Sequence, residues 1–396
     1  MNLLFIQGGS RVRVCNNEKM YVDSNFNNDI WKRYKSYCSN LTVILRKSNS
    51  LFDEEKLKYK FNEIDSSLMN LVLVDDVYSP KKNFFNIKLK KQIKKQIEDE
   101  VKKADKIIIR SIGNYYTNTA LKACKKYNKS YLIEVTGFAF WTLWYHSIFG
   151  KIVAIPRELY LRRNIKKAPY ALYVTGVELQ KQYPCRGQSI GCSDVQLPDA
   201  DSELIINKRR KNKENNNSKI IIGTAAFLDS KFKGQKSVIK ALSLLKKEGI
   251  KNIEYQLIGS GTGKSLSSYA KKLNVIDMVK IIGPIEHEKV FDWFDAIDIY
   301  IHPSYQEGLC RSIIEAMSRG CLILAAKVGG NVELVDDKFL FNKGDYKSIH
   351  NLLKRNMSRE KILNEGINNI NFTKKYNKIL LDKKRDDFYH QFMNNK

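Results

Sequence analysis

The chain has 396 residues, 43% of them hydrophobic, and 69 Lys and Arg against 42 Asp and Glu give a formal charge of +27. That length suits two domains, each able to bury its own core, and the ordinary hydrophobic content points to a globular protein. No run of about eighteen apolar residues occurs, which argues against a membrane-spanning helix, and the charge leaves nucleic acid, an anionic membrane surface or phosphorylated substrates as partners. Lysine and asparagine are both abundant, as AT-rich coding alone would produce, so the charge carries modest weight. The seven cysteines include no C-x-x-C pair and no His/Cys ligand spacing. Reduced thiols in a cytosolic protein are the simplest account. Met1-Asn-Leu-Leu-Phe-Ile reads as a first strand with no cationic leader before it.

Leu3–Ile6 predicts a buried strand ending in Gln7-Gly8-Gly9-Ser10, where glycines allow a tight turn or a close ligand approach. Further strands are predicted at Thr42–Leu45, Leu71–Val74, Ile107–Ile109 and Leu132–Val135. Between the third and fourth, Leu89, Ile93, Ile97 and Val101 recur at fourfold spacing, a helix with one buried stripe and a lysine-rich face. Strands alternating with helices imply a parallel sheet. The segment Glu134–Pro156 gathers Phe138, Phe140, Trp141, Trp144, Tyr145 and Phe149 around His146, followed by Arg157, Arg162, Arg163, Lys166 and Lys167. It fits either a core helix beside a basic surface or an interfacial patch that sets aromatics and cations against lipid headgroups. Tyr173-Val174-Thr175 ends another strand-like run. Asn207–Asn217 is polar, charged and free of apolar residues, and 207–218 is the predicted linker between a domain at 1–206 and another at 219–371.

A second alternating pattern follows at Lys219–Ile222, Tyr255–Ile258, Lys280–Ile282, Ile299–Ile301 and Leu322–Ala325. Phe232-Lys233-Gly234 opens a helix over Gln235–Lys247, a cation at a helix start where phosphate is favoured. After the strand Ile299–Ile301 the chain breaks at Pro303, carries Glu307-Gly308, and enters a helix bearing Glu315. Two carboxylates eight residues apart, beside the free N–H groups of Gly308 and Leu309 at a helix start, describe acceptors for vicinal hydroxyls next to an anion site. The competing reading makes Ser312-Ile-Ile-Glu315 a capping box and Glu307-Gly308 a turn.

The whole phrase PSYQEGLCRSIIEAMSRG followed by GGNVEL closely resembles the donor site of glycosyltransferase family four, retaining enzymes of the GT-B fold. The resemblance implies an α/β protein of two Rossmann-like domains facing each other across a cleft. The first would bind a glycan or lipid-linked acceptor and the second a nucleotide-diphospho-sugar. It implies that Glu315 holds the ribose and Glu307 the transferred sugar. Lys233 and the helix start at Gly308 and Leu309 would meet the departing diphosphate. The upstream arginine that often accompanies the lysine is missing from Thr224–Ser230, so Lys231 or Arg311 would have to supply the second cation. His146 is a candidate for contacting the reacting sugar. Gly9, Gly259 and Gly261 stand where donor-side glycine turns recur, Cys310 stands where relatives often have proline, and residues 372–396 are expected to form a terminal helix crossing back to the first domain. No metal or cofactor is expected, and the protein is expected to be cytoplasmic, with peripheral contact to an anionic membrane and no nucleic-acid partner.

Rival readings fit the residues less well. Gly259-Ser-Gly-Thr-Gly263-Lys264-Ser265 follows a strand like a P-loop, but the full motif needs a glycine where Ile258 stands. A nucleic-acid binder would group its basic residues on one face or interleave them with stacking aromatics, and these lysines are spread along solvated helices. A phosphorylase or sugar-nucleotide epimerase on the same fold stays open. Asp199-Ala-Asp201 resembles a metal-binding D-x-D but lies at the predicted linker, away from any buried strand.

Overall fold

The computed structural model describes residues 1–23, 26–58, 61–138, 140, 144, 148–198, 201–214 and 219–395. The chain divides into two compact units, one of residues 1–192 with 384–396 and the other of residues 193–383.

The first unit holds β1 (Asn2–Cys15), β2 (Met20–Asp23), β3 (Asn40–Phe52), β4 (Phe61–Glu63), β5 (Asn70–Val74), β6 (Lys106–Arg110), β7 (Ser130–Val135), β8 (Tyr170–Tyr173) and β9 (Gln188–Gly191). Parallel pairing gives the order β5-β3-β1-β6-β7-β8-β9. Antiparallel β2 joins the far end of β1, and β4 joins β2. The central strands are apolar runs because helices cover both of their faces, and Leu3–Ile6 and Ile107–Ile109 are fully buried. The predicted helix is present at Ile87–Lys103 and buries Ile93, Ile97 and Val101.

The glycine pair does not end β1. The strand continues to Cys15, and its register with β3 slips between Ile6 and Arg11. Gln7 Oε1 accepts the N–H of Gly9 at 2.5 Å and of Ser10 at 3.2 Å, and Arg46 donates to the Gly9 carbonyl. Gly8-Gly9 is therefore a bulge inside a strand, and Gly9 lies in the first unit.

The second unit holds β10 (Ile220–Ala225), β11 (Ile253–Ile258), β12 (Val279–Gly283), β13 (Ile299–His302), β14 (Leu322–Ala326) and β15 (Leu340–Phe341), all parallel in the order β12-β11-β10-β13-β14-β15. The strand order reverses between β10 and β13, and in such sheets ligands bind beyond the carboxyl ends of the strands at that point.

The predicted linker is corrected. The units part between Cys192 and Ser193, and Ser202–Glu214 is a helix. Arg209, only 7% exposed, donates from Nε to the Arg319 carbonyl at 2.9 Å, from Nη1 to Ile297 at 2.6 Å and from Nη2 to Phe294 at 2.8 Å. These carbonyls close the helices Val290–Ala296 and Arg311–Ser318, where a cation is favoured by the helix dipole. A segment with no apolar residue is thus anchored by one buried guanidinium.

Residues 359–373 form one helix and residues 378–394 another, with a short 3₁₀ turn at Lys374–Tyr376 between them, so the terminal helix starts later than residue 372. Phe388, Tyr389, Phe392 and Met393 pack in the core of the first unit beside Trp31, Tyr34 and Tyr170. Tyr389 and Tyr34 each donate a hydroxyl to Glu134 Oε1 at 2.6 Å, and Arg110 donates to Oε2 at 2.6 Å. Burial pushes the Glu134 carboxyl up, but Arg110 and the two hydroxyls outweigh it and hold it ionised. Each such bond to a charged group contributes about 1.5–3 kcal/mol.

Candidate functional site

At the switch point, two loops carry the polar groups. The loop after β10 reaches Lys233, and the loop after β13 reaches Glu307. Gly234 has φ +73°, and a Cβ there would lie 2.0 Å from the Pro303 carbonyl oxygen. Glycine alone lets the two loops approach this closely. The Tyr305 N–H donates to the Phe232 carbonyl at 2.8 Å and fastens them.

Lys233 Nζ donates to Glu307 Oε1 at 2.7 Å, and His302 Nε2 lies 2.8 Å from the same oxygen. Glu307 is 15% exposed and Lys233 23%. Burial alone would raise the Glu307 carboxyl, but His302 and Lys233 outweigh it and bring it down to about 2. Burial works against the His302 imidazolium, while Cys310 and Glu307 favour it and lift its pKa to about 9. At neutral pH the group is a cation–anion–cation chain aimed out of the sheet's carboxyl edge. His302 was missed in the sequence. The available signal was its place, the last residue of β13 and five before Glu307.

The helix Arg311–Ser318 begins at Cys310, whose side chain makes no cap hydrogen bond. Its Sγ lies 3.4 Å from His302 Nε2 and 3.2 Å from Ser312 Oγ. Ser312 Oγ accepts from the Tyr300 hydroxyl at 2.7 Å. The capping-box reading therefore fails, because Ser312 lies inside the helix and is turned to Tyr300. The Glu315 carboxylate makes no hydrogen bond or ion pair with any described residue, and burial raises it against the pull of Arg311. The N–H groups of Gly308 and Leu309 have no acceptor among the described residues, while the Gly308 carbonyl receives the Gly330 N–H at 2.7 Å. A half-buried carboxylate without a partner and two open N–H groups at a helix start can take, respectively, hydroxyls and an anion.

The glycine-rich loop after β11 is satisfied from within. Asp229, in the turn following β10, accepts the N–H of Thr262 at 2.8 Å and of Gly263 at 3.0 Å, and the Thr262 hydroxyl at 3.1 Å. These bonds keep the Asp229 carboxyl below its usual range. Gly259 N–H goes to the Gly283 carbonyl at 2.8 Å, and a Cβ on Gly261 would lie 3.0 Å from Asp229. A carboxylate thus occupies amides that a P-loop would offer to phosphate, which removes the structural basis of the NTPase reading.

The second unit brings together Lys233, Glu307, Gly308, Leu309, Arg311 and Glu315. His146, Trp141, Tyr145 and Asp199 lie outside the described residues. Among the described residues, His302, Glu307 and Cys310 are the three potential metal ligands whose atoms all fall within 4.8 Å of one another. Lys233 already sits on the Glu307 oxygen, so the cluster presents an ion-pair chain.

Residues 205–371 match the family described as glycosyl transferases group 1. Protein CapJ of Staphylococcus aureus is 34% identical over 371 residues, covering 93% of this chain and 89% of that protein. The chain is a group 1 glycosyltransferase. The capsular polysaccharide biosynthesis glycosyltransferase CapH of the same species is 30% identical over 132 residues, 33% of this chain and 35% of that one. Among solved structures, sucrose-phosphate synthase of Thermosynechococcus elongatus matches with TM-score 0.69 at 14% identity, covering 99% of this chain and 98% of that one. HepE of Anabaena, solved in complex with UDP-glucose, matches with TM-score 0.65 at 16% identity, covering 99% and 100%. The glycosyltransferase has the GT-B fold, with two parallel-sheet units.

Proposed function

We propose that this glycosyltransferase moves a sugar from a nucleotide-diphospho-sugar to a glycan or lipid-linked acceptor, with retention and without a metal, in the assembly of a capsular polysaccharide. The observation that carries the donor side is the switch-point group, where Lys233 and the open N–H groups of Gly308 and Leu309 stand beside the unpartnered Glu315. HepE binds UDP and UDP-glucose in its solved complexes, and CapH is named for capsular polysaccharide biosynthesis, which supports both halves of the reading. Glu315 accepts the ribose hydroxyls and Glu307, ionised at neutral pH, those of the transferred sugar. Lys233 and the helix start meet the diphosphate, whose charge grows as its bond to the sugar breaks. Preorganised donors of this kind usually supply the largest catalytic contribution.

Metal-using transferases neutralise the same charge with a bound cation. Here Lys233 supplies a fixed cation instead, and activity is expected to survive excess EDTA with NMR showing a product anomer of the donor's configuration. Loss of activity in EDTA with rescue by magnesium or manganese would overturn metal independence, and an inverted product would overturn retention. A thermal-shift panel of nucleotide sugars identifies the donor, since stabilisation follows affinity.

Reversible contact with an anionic membrane is part of the proposal. No helix among the described residues is long and apolar enough to span a bilayer. On the helix Ile148–Lys166, Ile152, Ile155 and Leu159 share one face and are 69%, 56% and 62% exposed. Lys151, Arg162, Arg163 and Lys166 on the same helix are also exposed. A second exposed apolar group, Phe84, Phe85 and Ile87, stands among exposed Lys81, Lys82 and Lys88. Apolar insertion flanked by cations binds acidic interfaces. The protein is expected to float with acidic vesicles at low salt and to be released at high salt, and replacing Ile152, Ile155 and Leu159 by serine should weaken flotation. Equal flotation with neutral vesicles would remove the electrostatic part.

A further inference from the structure

We propose that a second anion site lies in the first unit, a cavity of about 180 Å³ at the carboxyl ends of β6 and β7 that takes a phosphate group through Arg157. The cavity has two kinds of wall. Ile133, Val135 and Leu161 are buried and make its apolar side, while Ser111, Thr136 and Arg157 supply polar atoms.

Arg157 is the decisive residue. Its Nε is buried without a hydrogen-bond partner, and no described residue pairs with its guanidinium. Other arginines of the unit hold carboxylates: Arg110 holds Glu134, Arg46 and Arg11 hold Asp76, and Arg162 holds Glu158. Arginine cannot shed its proton to escape burial, so the protein holds a half-buried cation that no carboxylate among the described residues pairs. Space for it is built in. Gly113 has φ +110°, and a Cβ there would stand 2.8 Å from both Arg157 Nε and Leu161 Cδ1. Any larger residue would push the guanidinium out.

The rest of the cavity suits an oxyanion. Glu134 contributes to the lining, but its carboxylate is saturated by Arg110, Tyr34 and Tyr389 and does not compete for Arg157. Ser111 Oγ and Thr136 Oγ1 lie 2.5 Å apart. One hydroxyl donates to the other, which leaves a single O–H free to turn to a ligand. A Cβ on Gly137 would meet nothing within 4 Å, so the backbone at the end of β7 faces open space. A guanidinium, a hydroxyl donor and low-dielectric walls favour a phosphate oxygen over water. The apolar wall beside them suits a phosphate carried on a hydrocarbon chain. The assignment of this site to the acceptor rests on the glycosyltransfer reading, whereas the binding itself does not.

The test therefore measures binding alone, by ³¹P NMR titration of inorganic phosphate and of citronellyl phosphate into the full chain. A Lys233→Ala background weakens phosphate binding at the donor group, and only the component of binding that changes with Arg157 is scored. Saturable binding of at least one probe is expected, weakened about tenfold or more by Arg157→Ala, less by Arg157→Lys, and several-fold by Thr136→Val. Similar affinity for the two probes assigns recognition to the phosphate alone, and tighter citronellyl phosphate binding assigns it to a prenyl-type lipid phosphate. Absence of saturable binding, or affinity unchanged by Arg157→Ala, overturns the site. Donor binding measured with Lys233 intact should be the same in Arg157→Ala as in the parent, which establishes that the variant is folded and separates failure of this site from failure of the donor assignment.

Discussion

Replacing Lys233 by alanine lowers kcat by about 10²–10³-fold, the range for removing one preorganised donor from developing charge. Lys233 is fixed before the donor arrives, by Gly234 packed on Pro303 and by the ion pair with Glu307. Its reorganisation during the reaction is therefore small. His302 still faces Glu307 in the variant, so the carboxylate keeps one cationic neighbour and the fold should be little affected. Single-turnover rates at saturating donor, alongside a melting curve, check this. A fall in melting temperature that accounts for the lost activity, with kcat of the folded fraction unchanged, would make Lys233 a structural ion-pair partner only.

Replacing Glu315 by alanine weakens donor binding by about 10–100-fold, as expected for the loss of one hydrogen bond to a charged acceptor at a net value of roughly 1.5–3 kcal/mol. Stability should change by less than about 0.5 kcal/mol, because a carboxylate without a partner gives up no contact. A capping glutamate would behave in the opposite way, costing about 0.5–2 kcal/mol of stability and leaving donor affinity intact. Calorimetric titration with the donor and denaturant unfolding of the same two proteins separate the outcomes. Glu315→Gln adds a control, since it keeps the shape and one acceptor while removing the charge.

The second unit was legible because all of its strands except β15 are largely apolar runs flanked by polar turns, and the predicted helix Gln235–Lys247 is the helix observed. Lys233, Glu307 and Glu315 could be singled out because helix starts and strand ends are visible in the pattern. Their mutual distances were not, since β10 and β13 pair only after a long crossover. His302 and Asp229 were missed for the same reason: each acts across a gap of residues, on a carboxylate or on a pair of amides, and a lone His or Asp carries no local period. The linker at 207–218 was misplaced because composition was read without geometry. One arginine among polar neighbours, reaching three carbonyls, anchors the polar part of that helix, while Ile205 is buried in its first turns. Gly8-Gly9 misled in the opposite sense, since glycine punctuates chains but also makes the bulge through which β1 continues. The short strands β2, β4 and β15 are too brief to show a period.

The helix that ends the described chain also sets an order of events during synthesis. Domains generally fold as they leave the ribosome, N-terminal first, yet the core around Trp31 and Tyr34 lacks Phe388, Tyr389, Phe392 and Met393 until residues 193–383 have been made. Until then Glu134 is short of one hydroxyl donor and an apolar slot beside Tyr170 stands open to solvent and chaperones. The unit translated first is the one finished last, and a fusion or truncation near residue 390 should harm it more than the unit it adjoins in sequence.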